Sequence, residues 1–224
     1  MPAFRAVAFD YDGTLFDTRP AIVHSIQRTF EDCGRPVPPL DAILRTVASG
    51  VALPDTFLIL DAPLRKSPSA LQERVKAYRA IYLAEGTPLL KPFAGVHDVL
   101  QQLHNGDTKC VVISNKGIAA IERSLESAGL RSFVDLVLAD APGVPRKPDP
   151  ALIHDHVVPK FPQLQSRHIL MVGDTETDIM FARASGMRCC WASYGFGDAE
   201  RCRALAPEHQ IAGIEELPAI VAGA

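Results

Sequence analysis

Residues 9–18 read FDYDGTLFDT, with Asp10 and Asp12 one residue apart directly behind the apolar run AVAF. Two carboxylates held this close resist ionising together unless a cation neutralises them. A hard cation such as Mg²⁺ takes oxygen ligands and keeps several waters, so one or two carboxylates and a phosphate oxygen suffice to hold it. With its repulsion from an anionic substrate offset in this way, Asp10 can attack phosphorus as a nucleophile. Asp12, carrying a proton, can deliver it to the leaving oxygen and later take one from water. Gly13 permits close backbone approach, and exposed N–H groups around it can bind phosphate oxygens. An isolated Asp-Gly usually marks a turn or a helix N-cap. D-x-D-G-T behind an apolar strand is a rarer pattern and points to phosphate chemistry.

The elements that must position these residues can be read from periodicity. Five short apolar runs recur: FRAVAF (4–9), KCVVIS (109–114), FVDLVLA (133–139), HILMVG (168–173) and MRCCWAS (187–193). They are nearly continuous rather than alternating, as expected of parallel strands covered on both faces. Helical patterns separate them. GIAAIERSLESA places Ile118, Ile121 and Leu125 on one side and stops at Gly129; Asp149-Pro150 opens another helix, and residues 176–185 make a third before Gly186. The alternation predicts a doubly wound, Rossmann-like α/β fold with a parallel sheet. Between Thr18 and Thr87 the rhythm breaks, with helical spacing at Ile22, Ile26 and Phe30 and again at Leu71, Val75, Tyr78 and Tyr82, but no strand. The division expected is therefore a core of residues 1–17 and 88–224, with residues 18–87 inserted after the first strand as a helical cap.

In an open α/β sheet, ligands bind beyond the carboxyl ends of the strands. Asp10 ends the first strand, Ser114 the second, and Asp174 follows the fourth. Lys147 lies after the third in APGVPRKPDP, whose four prolines restrict the backbone. Carboxylates, a hydroxyl and an ammonium thus converge on one place, a set suited to a phosphate and a divalent cation.

FDYDGTLFDT, VVISNKG, KPDP and VGDTETDI, in this order and spacing, resemble the four motifs of the haloacid dehalogenase superfamily, and most nearly its phosphoglycolate phosphatase-like branch. The resemblance spans nearly the whole chain, including a helical cap after the first strand. It implies that Asp10 is the nucleophile, forming an aspartyl-phosphate, and Asp12 the general acid and base. It implies that Ser114 and the Asn115 N–H bind phosphoryl oxygens and that Lys147 steadies the negative charge of the nucleophile and phosphoryl group. Asp174 would ligate Mg²⁺ with Asp10 and the Asp12 carbonyl, supported by Asp178. In the insert, RTVASGVAL (45–53) resembles the cap segment that faces the active site, making Arg45 and Ser49 candidates for substrate contact. Tyr11, where many relatives carry Leu, leaves these assignments undisturbed.

The expected activity is hydrolysis of a small phosphate monoester, with phosphoglycolate first and pyrophosphate, sugar phosphates and nucleotides behind it. A phosphomutase on the same fold would keep all four motifs and differ mainly in the cap. A phosphate-binding regulator without turnover is the alternative of another class. Haloalkanoate dehalogenases lack the second aspartate, so Asp12 speaks against them. There is no GxxxxGK[ST], no complete GxGxxG around Gly195-Phe196-Gly197, and no GxSxG at Ser114. His154 and His156, two apart on a predicted helix, share no face for a metal pair.

The 224 residues carry a net charge of −3, which argues against a nucleic-acid partner. No apolar run is long enough for a membrane helix and no secretory leader is visible. The five cysteines form no CxxC pair, and Cys189-Cys190 sit in a predicted strand as buried free thiols, consistent with a reducing, cytoplasmic setting. A monomer and a dimer are both compatible with the sequence.

Overall fold

A computed structural model of the protein describes residues 3–223. The chain opens with β1 (Ala6–Phe9) and the two-residue β2 (Phe16–Asp17), then passes through α1 (Arg19–Asp32), α2 (Leu40–Ala48), α3 (Leu53–Leu60) and α4 (Pro68–Ile81). It returns through β3 (Lys91–Pro92) into α5 (Val96–Asn105), β4 (Lys109–Gly117), α6 (Ile118–Ser127) and β5 (Leu136–Asp140). A short α7 (Val158–Lys160) leads to β6 (Ile169–Gly173), α8 (Glu176–Ala184), β7 (Arg188–Ala192), α9 (Ala199–Ala204), β8 (His209–Ile211) and α10 (Leu217–Ala222).

Six strands form one sheet in the order β5-β4-β1-β6-β7-β8, and every neighbouring pair is parallel. From β1 the chain steps outward through β4 to β5, crosses back to β6, and steps outward the other way. That reversal sets the carboxyl end of β1 between those of β4 and β6, where such sheets form a crevice. β1 shows why the strands read as continuous apolar runs. Successive side chains point to opposite faces: Val7 and Phe9 join a core with Leu100 of α5 and Ile121 and Leu125 of α6, whereas Ala6 and Ala8 join one with Ile179 and Phe181 of α8. Both faces are dry, so neither tolerates a polar residue. The fold is a doubly wound parallel sheet with a helical cap inserted after its first strand.

The helices α1–α4 gather around an apolar centre of their own, which includes Ile26, Phe30, Ile43, Phe57, Tyr78 and Tyr82. β2 and β3 pair antiparallel, Phe16 opposite Pro92 and Asp17 opposite Lys91, so the chain's two passages between sheet and helices run side by side.

The structure departs from the sequence reading in four places. β8, at His209–Ile211, is a sixth sheet strand with no apolar run to announce it. β4 continues past Ser114 to Gly117, with a break in its register against β5 after Ile113. The helix expected after Asp149-Pro150 begins as a π-helical turn over Leu152–Val157. Ile118 does not share the buried side of Ile121 and Leu125 but is 38% exposed at the start of α6. Among the described residues no helix is long and apolar enough to cross a membrane. Cys110, Cys189, Cys190 and Cys202 are buried free thiols, and Cys33 is exposed.

Candidate active site

The carboxyl ends of β1, β4 and β6 bring together Asp10, Ser114 and Asp174, and the loop after β5 adds Lys147; all four are buried. The Lys147 ammonium sits between two carboxylates, donating to Asp10 Oδ1 at 2.6 Å and to Asp178 Oδ1 at 2.6 Å. Its backbone is held too. Asn115 Oδ1 accepts from the Lys147 N–H at 2.9 Å, and Asn115 Nδ2 donates to the Lys147 carbonyl at 3.2 Å. The Asn115 side chain therefore clamps the lysine loop against the end of β4, a task separate from the backbone N–H that the motif assigns to phosphate.

Asp178 is fixed by the way α8 begins. Its Oδ2 accepts from the Thr175 N–H at 3.0 Å and the Thr175 hydroxyl at 2.8 Å, a capping arrangement that satisfies a helix N-terminus. One oxygen caps the helix and the other holds Lys147. Asp174 is fully buried, accepting from the Phe196 N–H at 2.6 Å and the Thr14 hydroxyl at 3.3 Å. Two glycines make room for it. A Cβ on Gly13, whose φ is +82°, would lie 2.2 Å from Asp174 Oδ2, and one on Gly195 would lie 2.2 Å from the Asp174 Cβ. Neither position can carry a side chain while Asp174 stays where it is. The sequence reading set Gly195-Phe196-Gly197 aside as an incomplete nucleotide motif; its role is to fold over Asp174 and donate to it.

Asp12 belongs to a second pair. Its Oδ1 accepts from Lys116 Nζ at 2.9 Å, and the same ammonium lies 4.1 Å from the centroid of the Tyr82 ring. Lys116 was missed as a functional candidate although it stands in the SNK triplet beside Ser114 and Asn115. Its backbone N–H donates to Ser114 Oγ at 3.4 Å. Burial opposes the charge of Lys116, but Asp12 offsets this and its pKa is raised.

The electrostatics of the buried group follow from a simple imbalance. Asp10, Asp174 and Asp178 have ligand oxygens within 4.8 Å of one another, and Lys147 is the ammonium that bonds two of them. Were all three ionised, three carboxylates against one ammonium would leave two negative charges in excess, away from water. Burial pushes the Asp10 carboxyl up to about 7 although Lys147 pulls it down, and Asp178 and Asp12 push it further up. Burial, with the charges of Asp10 and Asp178, also holds Asp174 well above the usual carboxylate range. Burial opposes the Lys147 charge too, but its two carboxylates more than offset this and raise its pKa. An oxygen-rich cluster that resists full ionisation for want of positive charge suits a hard divalent cation.

Above these groups lies a cavity of about 380 Å³, lined by Asp10, Asp12, Ser114, Lys147 and Asp174 on one side and by residues of α1, α2, α4 and the following turn on the other. Arg45 and Ser49 are not part of it. They line a separate groove with Pro36–Pro39 and Ile59, and Arg45 is exposed and donates to Asp41 at 2.6 Å. Residues four apart share a face of a helix, and here that face turns away from Asp10. Val47, Gly50 and Val51 line the cavity instead.

The sequence model of the haloacid dehalogenase-like hydrolase family matches residues 7–192. A phosphoglycolate phosphatase of Thiobacillus denitrificans is 28% identical over 193 residues, covering 86% of this chain and 84% of the relative. The pyrophosphatase PpaX of Halalkalibacterium halodurans is 28% identical over 222 residues, covering 96% of this chain and 95% of that one. A haloacid dehalogenase-like family protein from Streptococcus pneumoniae shares the fold, with a TM-score of 0.83 at 24% identity over 97% of this chain and 98% of its own. The family match takes in the strand ends that carry Asp10, Ser114 and Asp174 together with the loop of Lys147, and the chain belongs to the haloacid dehalogenase-like hydrolases.

Proposed function

We propose that the protein is a Mg²⁺-dependent phosphatase that hydrolyses a small phosphate monoester through an aspartyl-phosphate on Asp10. The observation that carries this reading is the Lys147 ammonium bonded to both Asp10 and Asp178 beneath a cavity, with Asp174 beside them to make three carboxylates around one ammonium. Asp10, Asp174 and the Asp12 carbonyl are the groups that would hold the cation. When bound it supplies the positive charge that lets a carboxylate approach a phosphate dianion.

The remaining chemistry belongs to the chain. Ser114 and the Asn115 N–H hold phosphoryl oxygens in line with Asp10. A carboxylate oxygen of Asp10 bonds to phosphorus as the ester P–O bond breaks, and Asp12 gives its proton to the departing alkoxide. In the second half, Asp12 takes a proton from water, whose oxygen bonds to phosphorus and returns Asp10 as a carboxylate. Lys147 neutralises charge in both halves, and Asp178 keeps Lys147 in place. Lys116, bonded to Asp12, orients its carboxylate toward the leaving oxygen. Residues 18–87 act as the cap that covers the substrate and excludes water, hinging where β2 and β3 run together. The names borne by the relatives put phosphoglycolate and pyrophosphate first among substrates to try, and a small phosphorylated metabolite in the cytoplasm is the expected partner.

Phosphate release from a panel of esters, with Mg²⁺ and after chelation, tests this reading. Release that needs Mg²⁺ and disappears in Asp10→Asn is the expected result. Release that continues at full rate in Asp10→Asn, or after chelation, contradicts it.

A further inference from the structure

We propose that the site takes a phosphate monoester whose alcohol part is uncharged and largely apolar, rather than a carboxylated one such as phosphoglycolate. The inference rests on the phosphatase reading above. The cavity volume, about 380 Å³, lies in the range of pockets that enclose whole organic ligands. Phosphate and metal would be held by the groups at the end near Asp10, leaving the rest for the alcohol part.

The chemistry of that remainder is hydrocarbon. Residues 18–87 line it with Ile22, Val47, Val51, Leu53 and Leu83, and Ile118 of α6 joins them. Val51 and Ile118 are each 38% exposed, so part of this lining is apolar surface facing water, which an apolar ligand would cover.

A carboxylate on the ligand would need a cation, and each one lining the cavity among the described residues is already bonded to an aspartate. Arg79 donates to Asp140 at 2.5 Å, and Asp140 also accepts from Arg146 at 2.9 and 2.7 Å. Lys116 is bonded to Asp12 and Lys147 to Asp10 and Asp178. A ligand carboxylate taking Lys116 or Lys147 would displace Asp12, Asp10 or Asp178 and leave it unpaired; at Arg79 it would share the guanidinium with Asp140, which Arg146 also holds. Tyr82 lines the cavity, and its buried hydroxyl makes no hydrogen bond within the protein. With that oxygen enclosed by protein, Tyr82 offers the cavity only its ring.

The test is kcat/KM for ethyl, butyl and hexyl phosphate and for 2-phosphoglycolate, all with Mg²⁺. Leaving-group basicity hardly changes along the alkyl series, so chain length reports the cavity alone. The expected result is a rise of about fourfold per added methylene until the cavity fills, with phosphoglycolate about tenfold or more below hexyl phosphate. Val51→Arg, at a half-exposed position that tolerates a long side chain, should lower the rate on hexyl phosphate and raise it on phosphoglycolate. Equal rates along the alkyl series with phosphoglycolate preferred would overturn the substrate class and leave the phosphatase reading standing. No release from any ester would overturn both.

Discussion

Beneath the cavity each charged group has a fixed partner, whereas above it the same space is bounded mainly by hydrocarbon. On the sheet side Lys147 has two carboxylates, Asp178 has a lysine and a threonine, and Asp174 is enclosed by glycines and held by the Phe196 N–H. On the helical side Val47, Val51 and Leu53 come from α2, the loop after it and the start of α3, and the Tyr82 hydroxyl is left without a partner. Charge stabilisation needs dipoles fixed before the reaction begins, so the sheet ends, tied down by parallel pairing, are where it is built. Recognition of an alcohol part needs only volume and surface, which helices on a two-strand connection can supply while still moving.

This contrast can be broken most severely from below. Lys147→Met removes the ammonium from three buried carboxylates. Phosphate release should fall on the order of 10³-fold or more, and without Mg²⁺ the fold should lose roughly 3 kcal/mol in urea denaturation, as expected for an orphaned buried charge. An unchanged denaturation midpoint would mean that the lysine does not hold the cluster together. Gly195→Ala drives a methyl group into Asp174. Mg²⁺ affinity by calorimetry should weaken by about 10- to 100-fold, as for other changes that displace a metal ligand from behind, with KM for alkyl phosphates nearly unchanged.

The raised Asp10 sharpens the comparison through pH. Its carboxyl titrates near 7 in the folded protein without metal, against 3.8 when unfolded. Between those values the folded state binds the extra proton, so the metal-free protein loses stability as pH rises from about 4 to about 7. Mg²⁺ binds the ionised form. The rise in Tm on adding Mg²⁺ should therefore be larger at pH 8 than at pH 5.5, and equal shifts would argue against Asp10 as a ligand. The smallest effect is expected at the outer face of α2. Arg45→Ala removes an exposed pair and should change kcat/KM by less than about twofold on every ester.

The same divide explains what could be read from the sequence. Asp10, Ser114 and Asp174 each end an apolar run, and a parallel sheet brings strand ends together whatever the loops do, so their convergence was legible. Asp178 was legible because it lies one helical turn after Asp174. Arg45 and Ser49 were misplaced because the segment 45–53 was recognised but the helix phase was not. Which side of α2 faces the sheet depends on how four helices pack around Phe30 and Phe57, and no local spacing records that. Gly195 and Lys116 were missed for another reason. A glycine's purpose is the atom it lets approach, here on a residue 21 positions earlier, and the partner of Lys116 is 104 residues away. β8 escaped because three residues at a sheet edge, only one of them apolar, carry no periodicity.

The central claim is covalent: phosphorus is transferred to Asp10 before water reaches it. Acid quenching of the protein during turnover with Mg²⁺ and a good ester substrate, followed by mass spectrometry of the peptide containing residues 6–19, tests it directly. Phosphate on Asp10 in the wild-type protein and none in Asp10→Asn is the expected result. Steady turnover with no phosphorylated Asp10 at any quench time, under conditions that preserve acyl phosphates, would contradict it.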